Sequence, residues 1–538
     1  MDVDPKEIEL KLRVAPEDIE ALRNHPDFSG TFGTPTRQTM ESTYFDSDDR
    51  VLREHGLTLR VRQVGDKRIQ TIKAEHPASS GFERSEWEQV IDGDQPDLSR
   101  VDDTPLAPIL TDDVRGSLKP LFETRIDRSA YRLNGNDTDI EMAVDQGKIV
   151  GADGSLPVSE IELELKHGRP GELFKVARAI NSIVPAQLDV KSKSERGYEL
   201  VEKTKIAAET ASDPKLSAGM TSGRAFTLIG RACLRHLIAN HPATVQRDAE
   251  GLHQMRIALR RLRAAISLFA PVVVDDRVEA IKTELRWLAR ELAAARDLDS
   301  FFSEALTPIR KRHANEPGLV SISKMFARKR QASYRQVQDA VGSDRFRALI
   351  IDTAEWIEAG PWSTSDDPIV RARREMPIEF HAAEQLARRG KKIRRRGAKI
   401  GRLDPAELHK LRIQVKKTRY ATEFFAGVYE GKKAAKRCKR ALSSLRRLQN
   451  SLGSFNDVIT CKALCTEVMD NPGRGLSPER GRRRAFAAGL IIGDQQAQAD
   501  RLLDRAREAH ERFDDTKPFW KITRARSAPP LIPAAGQP

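Results

Sequence analysis

Charged and apolar residues alternate strictly along the first part of the chain. Glu7-Ile8-Glu9-Leu10-Lys11-Leu12-Arg13-Val14 does so, as do Leu57-Thr58-Leu59-Arg60-Val61-Arg62 and Glu160-Ile161-Glu162-Leu163-Glu164-Leu165-Lys166. A period of two is that of a strand with one apolar face. Gly65-Asp66, Gly93-Asp94, Asn134-Gly135-Asn136 and Asp153-Gly154 punctuate these runs as turns. The pattern predicts an antiparallel sheet or barrel over residues 1–205, with helices near Pro16–Leu22 and Gly171–Ile183. A small, polar segment, 206–221, reads as a linker. From 222 to 525 the period is helical and the sequence is rich in Arg, Ala and Leu. Residues 526–538, with Pro529, Pro530, Pro533 and Pro538, read as a disordered tail.

The helical half repeats itself. Leu252-His253-Gln254-Met255-Arg256-Ile257 leads to Arg260-Arg261-Leu262-Arg263, and Leu408-His409-Lys410-Leu411-Arg412-Ile413 leads to Lys416-Lys417-Thr418-Arg419. A second matched pair follows each, Leu292–Asp297 and Leu452–Asp457. Two elements repeated in the same order imply two similar helical bundles facing each other.

Charge divides along the same line. The 538 residues carry a formal net charge of +14, yet residues 1–205 hold 29 Lys and Arg against 40 Asp and Glu. The basic excess therefore lies wholly in the helical half, which suggests separate roles. The four cysteines have no zinc-type spacing and read as free thiols of a reducing compartment. The N-terminus lacks a secretory pattern, and no run of 18 apolar residues occurs, so a cytoplasmic protein without a membrane span is expected.

Residues two apart on a strand share a face. Glu7, Glu9 and Lys11 therefore group together, as do Arg60 with Arg62, Glu86 with Glu88, and Glu160 with Glu162 and Glu164. A solvated face explains any one such strand. Carboxylate and guanidinium strands recurring in one small domain fit better a closed barrel of about eight strands with its charges turned inward. Clustered carboxylates need counter-ions. Hard divalent cations suit them, and phosphate suits the Arg and Lys.

These residues resemble the CYTH family of triphosphate tunnel metalloenzymes. The opening Glu7-x-Glu9-x-Lys11 matches its signature. Tyr44-Phe45-Asp46, Gly56–Arg62, Lys73, Arg84–Glu88, Arg125, Asp145, Glu160-x-Glu162-x-Glu164 and Lys191/Lys193 follow in family order. The resemblance implies an eight-stranded antiparallel tunnel with covering helices that acts on triphosphates with Mg²⁺ or Mn²⁺. It implies metal ligation by Glu7, Glu9, Glu162 and Glu164, and phosphate binding by Lys11, Arg60, Arg62, Lys73, Arg125 and Lys193. Glu86 and Glu88 would place a second metal or the attacking water, so that Lys11, Glu86 and Glu88 form the catalytic set.

In the helical half His253, Arg256, Arg260 and Arg263 fall on a narrow arc beside an apolar stripe, and His409, Arg412, Lys416 and Arg419 repeat the geometry. One such helix reads as a solvated face; two in the same phase read as a binding surface. This half resembles the CHAD domain, which implies two pseudo-twofold four-helix bundles enclosing a basic, polyphosphate-binding groove. Each His then reads as a phosphate donor. The run Lys391–Arg396 has no aromatic platform beside it, so nucleic acid is not expected as a partner. The sequence reading is an inorganic triphosphatase, α+β in two domains, possessing a polyphosphate site and associated with polyphosphate granules. The alternatives are a class IV adenylate cyclase, a thiamine-triphosphatase and a non-catalytic polyphosphate scaffold.

Overall fold

The computed structural model describes residues 7–74, 83–135, 137–204, 206–471 and 477–520; the side chains of Glu7, Ser29 and residues 83–85 lie outside that description, as does the 526–538 tail. Among the described residues nine strands form one antiparallel sheet: β1 Glu7–Arg13, β2 Thr36–Asp46, β3 Leu57–Val64, β4 Lys67–Ala74, β5 Glu83–Ile91, β6 Lys119–Gly135, β7 Thr138–Gly151, β8 Gly154–His167 and β9 Gln187–Asp189. Their order is β5-β4-β3-β2-β6-β7-β8-β1-β9, and β5 also pairs with β1. The first eight strands therefore close into the expected barrel. The short β9 is an addition that takes the part of the β1 edge, Lys11–Arg13, that β5 leaves free. The turns at Gly65-Asp66, Asn134-Gly135 and Asp153-Gly154 join consecutive strands as the sequence predicts.

The alternation decides which way the barrel faces. Leu10, Leu12, Ile161 and Leu163 point outward and are buried under Leu173, Phe174, Ala177 and Ile180 of the Gly171–Ile183 helix. Their charged neighbours point in. One end of the interior is apolar: Met40, Tyr44, Phe122, Ile126, Ile149 and Val158 cluster with Tyr198 of the Lys193–Val201 helix. That helix comes so close that a Cβ at Gly197 would lie 2.1 Å from the Phe122 ring. Tyr198 also donates its hydroxyl to Asp46 Oδ2 at 2.9 Å, and the fully buried Asp46 accepts the backbone N–H groups of Leu52 and Arg53. The sequence gives little warning of this helix, because only nine residues form it.

The helical half runs twice through the same order. Ser222–Ala239, Ala249–Leu268, the broken stretch from Val278 to Arg312, Pro317–Gly342 and Asp344–Ala359 come first. Ile378–Gly397, Pro405–Phe424, the unbroken Lys432–Asp470, Pro478–Gln496 and Ala499–Asp514 follow. The repeat extends to the caps: Asp248 and Asp404 each accept a backbone N–H of their helix's first turn, at 2.6 and 2.8 Å. Such a cap is worth about 1 kcal/mol. The two halves meet symmetrically where their first helices begin, with Ser222 N–H donating to Met376 O and Ile378 N–H to Met220 O, both at 2.8 Å.

The barrel and the helices share one hydrophobic cluster. It runs from Leu10, Ile161 and Phe174 to Phe226, Leu234 and Trp356. Residues 206–221 contain no helix, but they are packed: Leu216 is buried in this cluster, and Glu209 N–H donates to Asn240 Oδ1 at 3.0 Å. All four cysteines are buried and free. No described helix is long and apolar enough to cross a membrane.

Candidate active site and basic groove

The charged interior of the barrel is a cavity of about 240 Å³ lined by both signs of charge. On one wall, β3 to β5, Glu86 accepts from Lys73 Nζ at 2.7 Å and from Arg60 Nη2 at 3.2 Å. Burial opposes ionisation of Glu86, but Lys73 and Arg60 outweigh it and hold the carboxyl down to about 2. Glu88 is freer. It is half exposed, accepts the Thr71 hydroxyl at 3.0 Å, and has Arg60 at 3.7 Å.

The opposite wall combines β1, β6, β7 and β8 with the start of the Lys193–Val201 helix. Lys193 Nζ lies 2.6 Å from Asp145, 2.6 Å from Glu160 and 2.9 Å from Glu162. Arg128 donates twice to Asp145, at 2.7 Å each, and once to Glu162 at 2.6 Å. Lys11 Nζ is 3.2 Å from Glu162, 3.5 Å from Glu160 and 3.9 Å from Glu9. Burial alone would lower the Lys11 and Lys193 pKa values, yet both are raised by these carboxylates. Glu162 is held well below the usual carboxylate range by Lys193, Lys11 and Arg128 against its burial.

Register explains how the carboxylates group. Glu9 of β1, Glu164 of β8 and Glu141 of β7 stand side by side across three strands. One step deeper, the carboxylate oxygens of Asp145, Glu160 and Glu162 lie within 4.8 Å of one another and could hold a metal ion. Carboxylate oxygens suit a hard divalent cation. Arg62 stands apart from these pairs. Among the described residues it makes no ion pair; its Nε donates to the Ser42 hydroxyl at 3.1 Å. Burial, and then Arg60, push its pKa down to about 10.

Most of the predicted site residues converge here: Glu9, Lys11, Arg60, Arg62, Lys73, Glu86, Glu88, Glu162, Glu164 and Lys193 all line the cavity. The backbone of Glu7 is in β1, but its side chain lies outside the described residues. Arg125 does not join the set. It is exposed and 3.1 Å from Glu123, while Arg128 enters the cavity in its place. Antiparallel counting from the Asn134-Gly135 turn sets Arg125 opposite Lys148 and Arg128 opposite Asp145, so this signal was present in the sequence. Lys191 turns away to Glu199 and Glu209.

In the helical half the two repeated helices pack against each other and bring Arg256, Arg260, Arg412 and Lys416 close enough to repel one another, along the expected groove. Burial, then Arg260 and Arg412, push the Lys416 pKa down to about 6. Arg256 is lowered to about 10 by burial, with Arg260 and Arg296 adding to the effect. His253 accepts from Arg296 Nε at 2.9 Å, and burial followed by Arg296 lowers its pKa to about 4. The equivalent His409 donates to Asn456 at 2.8 Å. Arg296 and Asn456 occupy matching places in the second repeated element, and the aspartates that follow them, Asp297 and Asp457, have pKa values raised by burial.

The ends of the stripes differ. Arg263 is exposed at one edge. Arg419 is committed elsewhere, bonding Gln449 at 2.7 Å, pairing with Glu423 and stacking 4.6 Å from the Tyr420 ring. Lys391–Arg396 is part of an ordinary helix in which Ile393 is buried and Arg394 pairs with Asp514 at 3.0 Å.

Comparison with known proteins agrees with this division. Residues 5–198 match the CYTH domain and residues 228–465 the CHAD domain. An inorganic triphosphatase of Haemophilus influenzae is 30% identical over 200 residues, which is 36% of this chain and 55% of that protein. The chain thus spans about half the length of this curated relative. The crystal structure of the CHAD domain from the plant Ricinus communis is 28% identical, with a TM-score of 0.46, covering 57% of this chain and 96% of that one. A Hippeastrum protein described as having a dominant triphosphatase activity is 18% identical, with a TM-score of 0.28, covering 36% of this chain and 95% of that one.

Proposed function

From a chain whose residues 5–198 match the CYTH domain and whose residues 228–465 match the CHAD domain, we propose an enzyme that hydrolyses inorganic triphosphate in the barrel and holds polyphosphate in the basic groove. The observation that carries the substrate choice is the cavity lining. Among the described lining residues only Tyr44 and Ala143 offer apolar or aromatic surface, and Tyr44 is already stacked on Phe122 with ring centroids 4.6 Å apart. A nucleobase or a thiazole needs such surface, and pockets for larger ligands run to roughly 300–1,000 Å³. A bare phosphate chain needs only cations. This favours inorganic triphosphate over ATP cyclisation or thiamine triphosphate, and the relative named an inorganic triphosphatase accords with it.

Arg62, which has no carboxylate partner among the described residues, is the first cation to receive the chain. Lys11, Arg60, Lys73, Arg128 and Lys193 complete its cradle. Each of these five already rests on a carboxylate, so an incoming polyanion would strand negative charge unless a cation came with it. The carboxylates fit Mg²⁺ or Mn²⁺. Asp145, Glu160 and Glu162 are already matched by Lys193, Arg128, Lys11 and Arg196. Glu9 and Glu164, whose nearest cations are Lys11 and Lys166, are less compensated, so the metal would be held by Glu9, Glu164 and the shared Glu162. When bound, it supplies Lewis-acid neutralisation of the phosphoryl oxygens.

Hydrolysis then requires a water aligned with the terminal phosphoryl group, and positioning and electrostatics do most of the work. Glu88, half exposed and more loosely paired than Glu86, with Arg60 at 3.7 Å, orients that water. Glu86 is committed to holding Lys73 and Arg60 in place. Arg125 has no part in this scheme. In the groove, Arg256, Arg260, Arg412 and Lys416 bind polyphosphate, flanked by His253, His409 and Arg263, which accords with residence in the cytoplasm near polyphosphate granules.

The test is a panel of triphosphate, long polyphosphate, ATP and thiamine triphosphate with Mg²⁺ or Mn²⁺. Phosphate and pyrophosphate should form from triphosphate with the highest kcat/KM. Cyclic AMP from ATP, or a preference for thiamine triphosphate, would overturn the assignment.

A further inference from the structure

We propose that the helical half is a working part of the triphosphatase site, with Arg235 as the positioning residue that sets the Lys193–Val201 helix against the cavity. The proposal rests on reading the barrel as a triphosphatase and concerns how that site is held.

Arg235 lies on the Ser222–Ala239 helix, outside the barrel. Its Nη2 donates to Glu195 Oε1 at 2.9 Å. The other oxygen of the same carboxylate accepts Ser192 N–H at 2.6 Å, and the Ser192 hydroxyl accepts Glu195 N–H at 3.0 Å. Glu195 thus caps the start of the Lys193–Val201 helix while the helical half grips it. Ser192, Lys193 and Ser194, at that start, line the cavity. A second tie runs alongside: Glu209 lies 3.4 Å from Arg235 Nη1 and 3.1 Å from Lys191 Nζ.

The need for an external anchor follows from what holds this helix elsewhere. Its far half is fixed to the barrel by Tyr198 on Asp46 and Gly197 on Phe122. Its near half is held from within, by Lys193 on Asp145, Glu160 and Glu162 and by Arg196 on Glu160. Those inner contacts must be shared with the ligand when a phosphate chain draws on Lys193. Neither Arg235 nor Glu195 lines the cavity, so their bond is not drawn on by the incoming chain and keeps Lys193 in place. Displacement by about 1 Å is enough to cost a site as much as 10²-fold.

The experiment is steady-state hydrolysis of triphosphate by the full chain with Mg²⁺, comparing wild type with Arg235→Ala, Arg235→Lys and Glu195→Gln. Arg235→Ala should raise KM about tenfold and change kcat much less, because phosphate binding by Lys193 is what is disturbed. Arg235→Lys should recover part of the loss. Glu195→Gln, which keeps an amide oxygen for the cap, should resemble Arg235→Ala, and the double variant should be no worse than either single change. An unchanged KM in Arg235→Ala, or additive effects in the double variant, would overturn the proposal. If Arg235→Ala does not fold, Arg235→Lys and Glu195→Gln carry the same comparison. A wild type without triphosphate turnover would sink the proposed function instead. Arg235 would then be judged by the triphosphate-induced rise in melting temperature: a smaller rise in the variants supports the proposal, and an equal rise refutes it.

Discussion

The buried lysines of the barrel cavity and the buried lysine of the basic groove behave oppositely. In the barrel, burial would lower the pKa values of Lys11 and Lys193, but facing carboxylates raise both. In the groove, burial lowers Lys416 to about 6, and the neighbouring Arg260 and Arg412 deepen the drop. Barrel strands from several parts of the chain interleave carboxylates with cations. The groove is made by one basic helix and its repeat, so cations face cations, and the nearby Asp297 and Asp457 offset them only in part. A balanced site resists an anion arriving alone and accepts an anion with a metal. An unbalanced site is relieved by an anion alone, because each phosphate restores charge that the fold has left uncompensated.

The largest expected effect removes Arg62, the one cation lining the cavity that makes no ion pair among the described residues. Arg62→Ala should lower kcat/KM for triphosphate by about 10²–10³-fold, the usual loss for a donor aimed at developing charge. Glu9→Gln, which keeps the shape and removes the charge, should be at least as damaging. Near-normal turnover in both variants would erase the distinction between the two sites.

The groove sharpens the comparison through salt and pH. Long polyphosphate should bind with a steep salt dependence, each neutralised phosphate adding about 0.7 to the log–log slope by analogy with single strands. Arg256→Glu with Arg260→Glu should abolish most of that affinity. Lys416 adds a pH signature. Its pKa is about 6 in the free protein and must rise when phosphate binds. Affinity is therefore greatest below about pH 6 and falls as pH rises toward the bound-state value. Lys416→Met should flatten this fall, as measured by titration calorimetry across pH 5.5–8.5, roughly the range in which that lysine exchanges its proton. A flat wild-type profile would contradict the assignment.

The smallest effect concerns the closed end of the barrel. Tyr198→Phe leaves buried Asp46 one donor short and should cost about 1–3 kcal/mol, read as a lower urea midpoint. No change would mean the Tyr198 hydroxyl contributes nothing to seating the helix.

Much of this was legible in the sequence, for reasons visible at single residues. The alternation from Glu7 to Val14 assigned an inner and an outer face, because a strand has no other way to sort its side chains. The two L-H-x-x-R-I repeats placed the groove, and their shared Asp caps strengthen the match. Arg125 was a harder case. Alternation shows that Arg125 and Arg128 face opposite ways but not which faces in, and only pairing with Asp145 decides it. The Lys193–Val201 helix was too short to carry a periodic signal, although it supplies Lys193, Tyr198 and Gly197. Arg419 kept the phase of Arg263, yet Glu423 one turn on captures it.

The contrast between the halves is tested most directly by one pair of assays in one buffer. Triphosphate hydrolysis and long-polyphosphate binding are measured on the full chain with Mg²⁺ and again after chelation. The account predicts that chelation abolishes hydrolysis, that added Mg²⁺ restores it, and that polyphosphate affinity is not weakened by metal removal. Hydrolysis that persists in excess chelator, or polyphosphate binding that disappears with the metal, would contradict it.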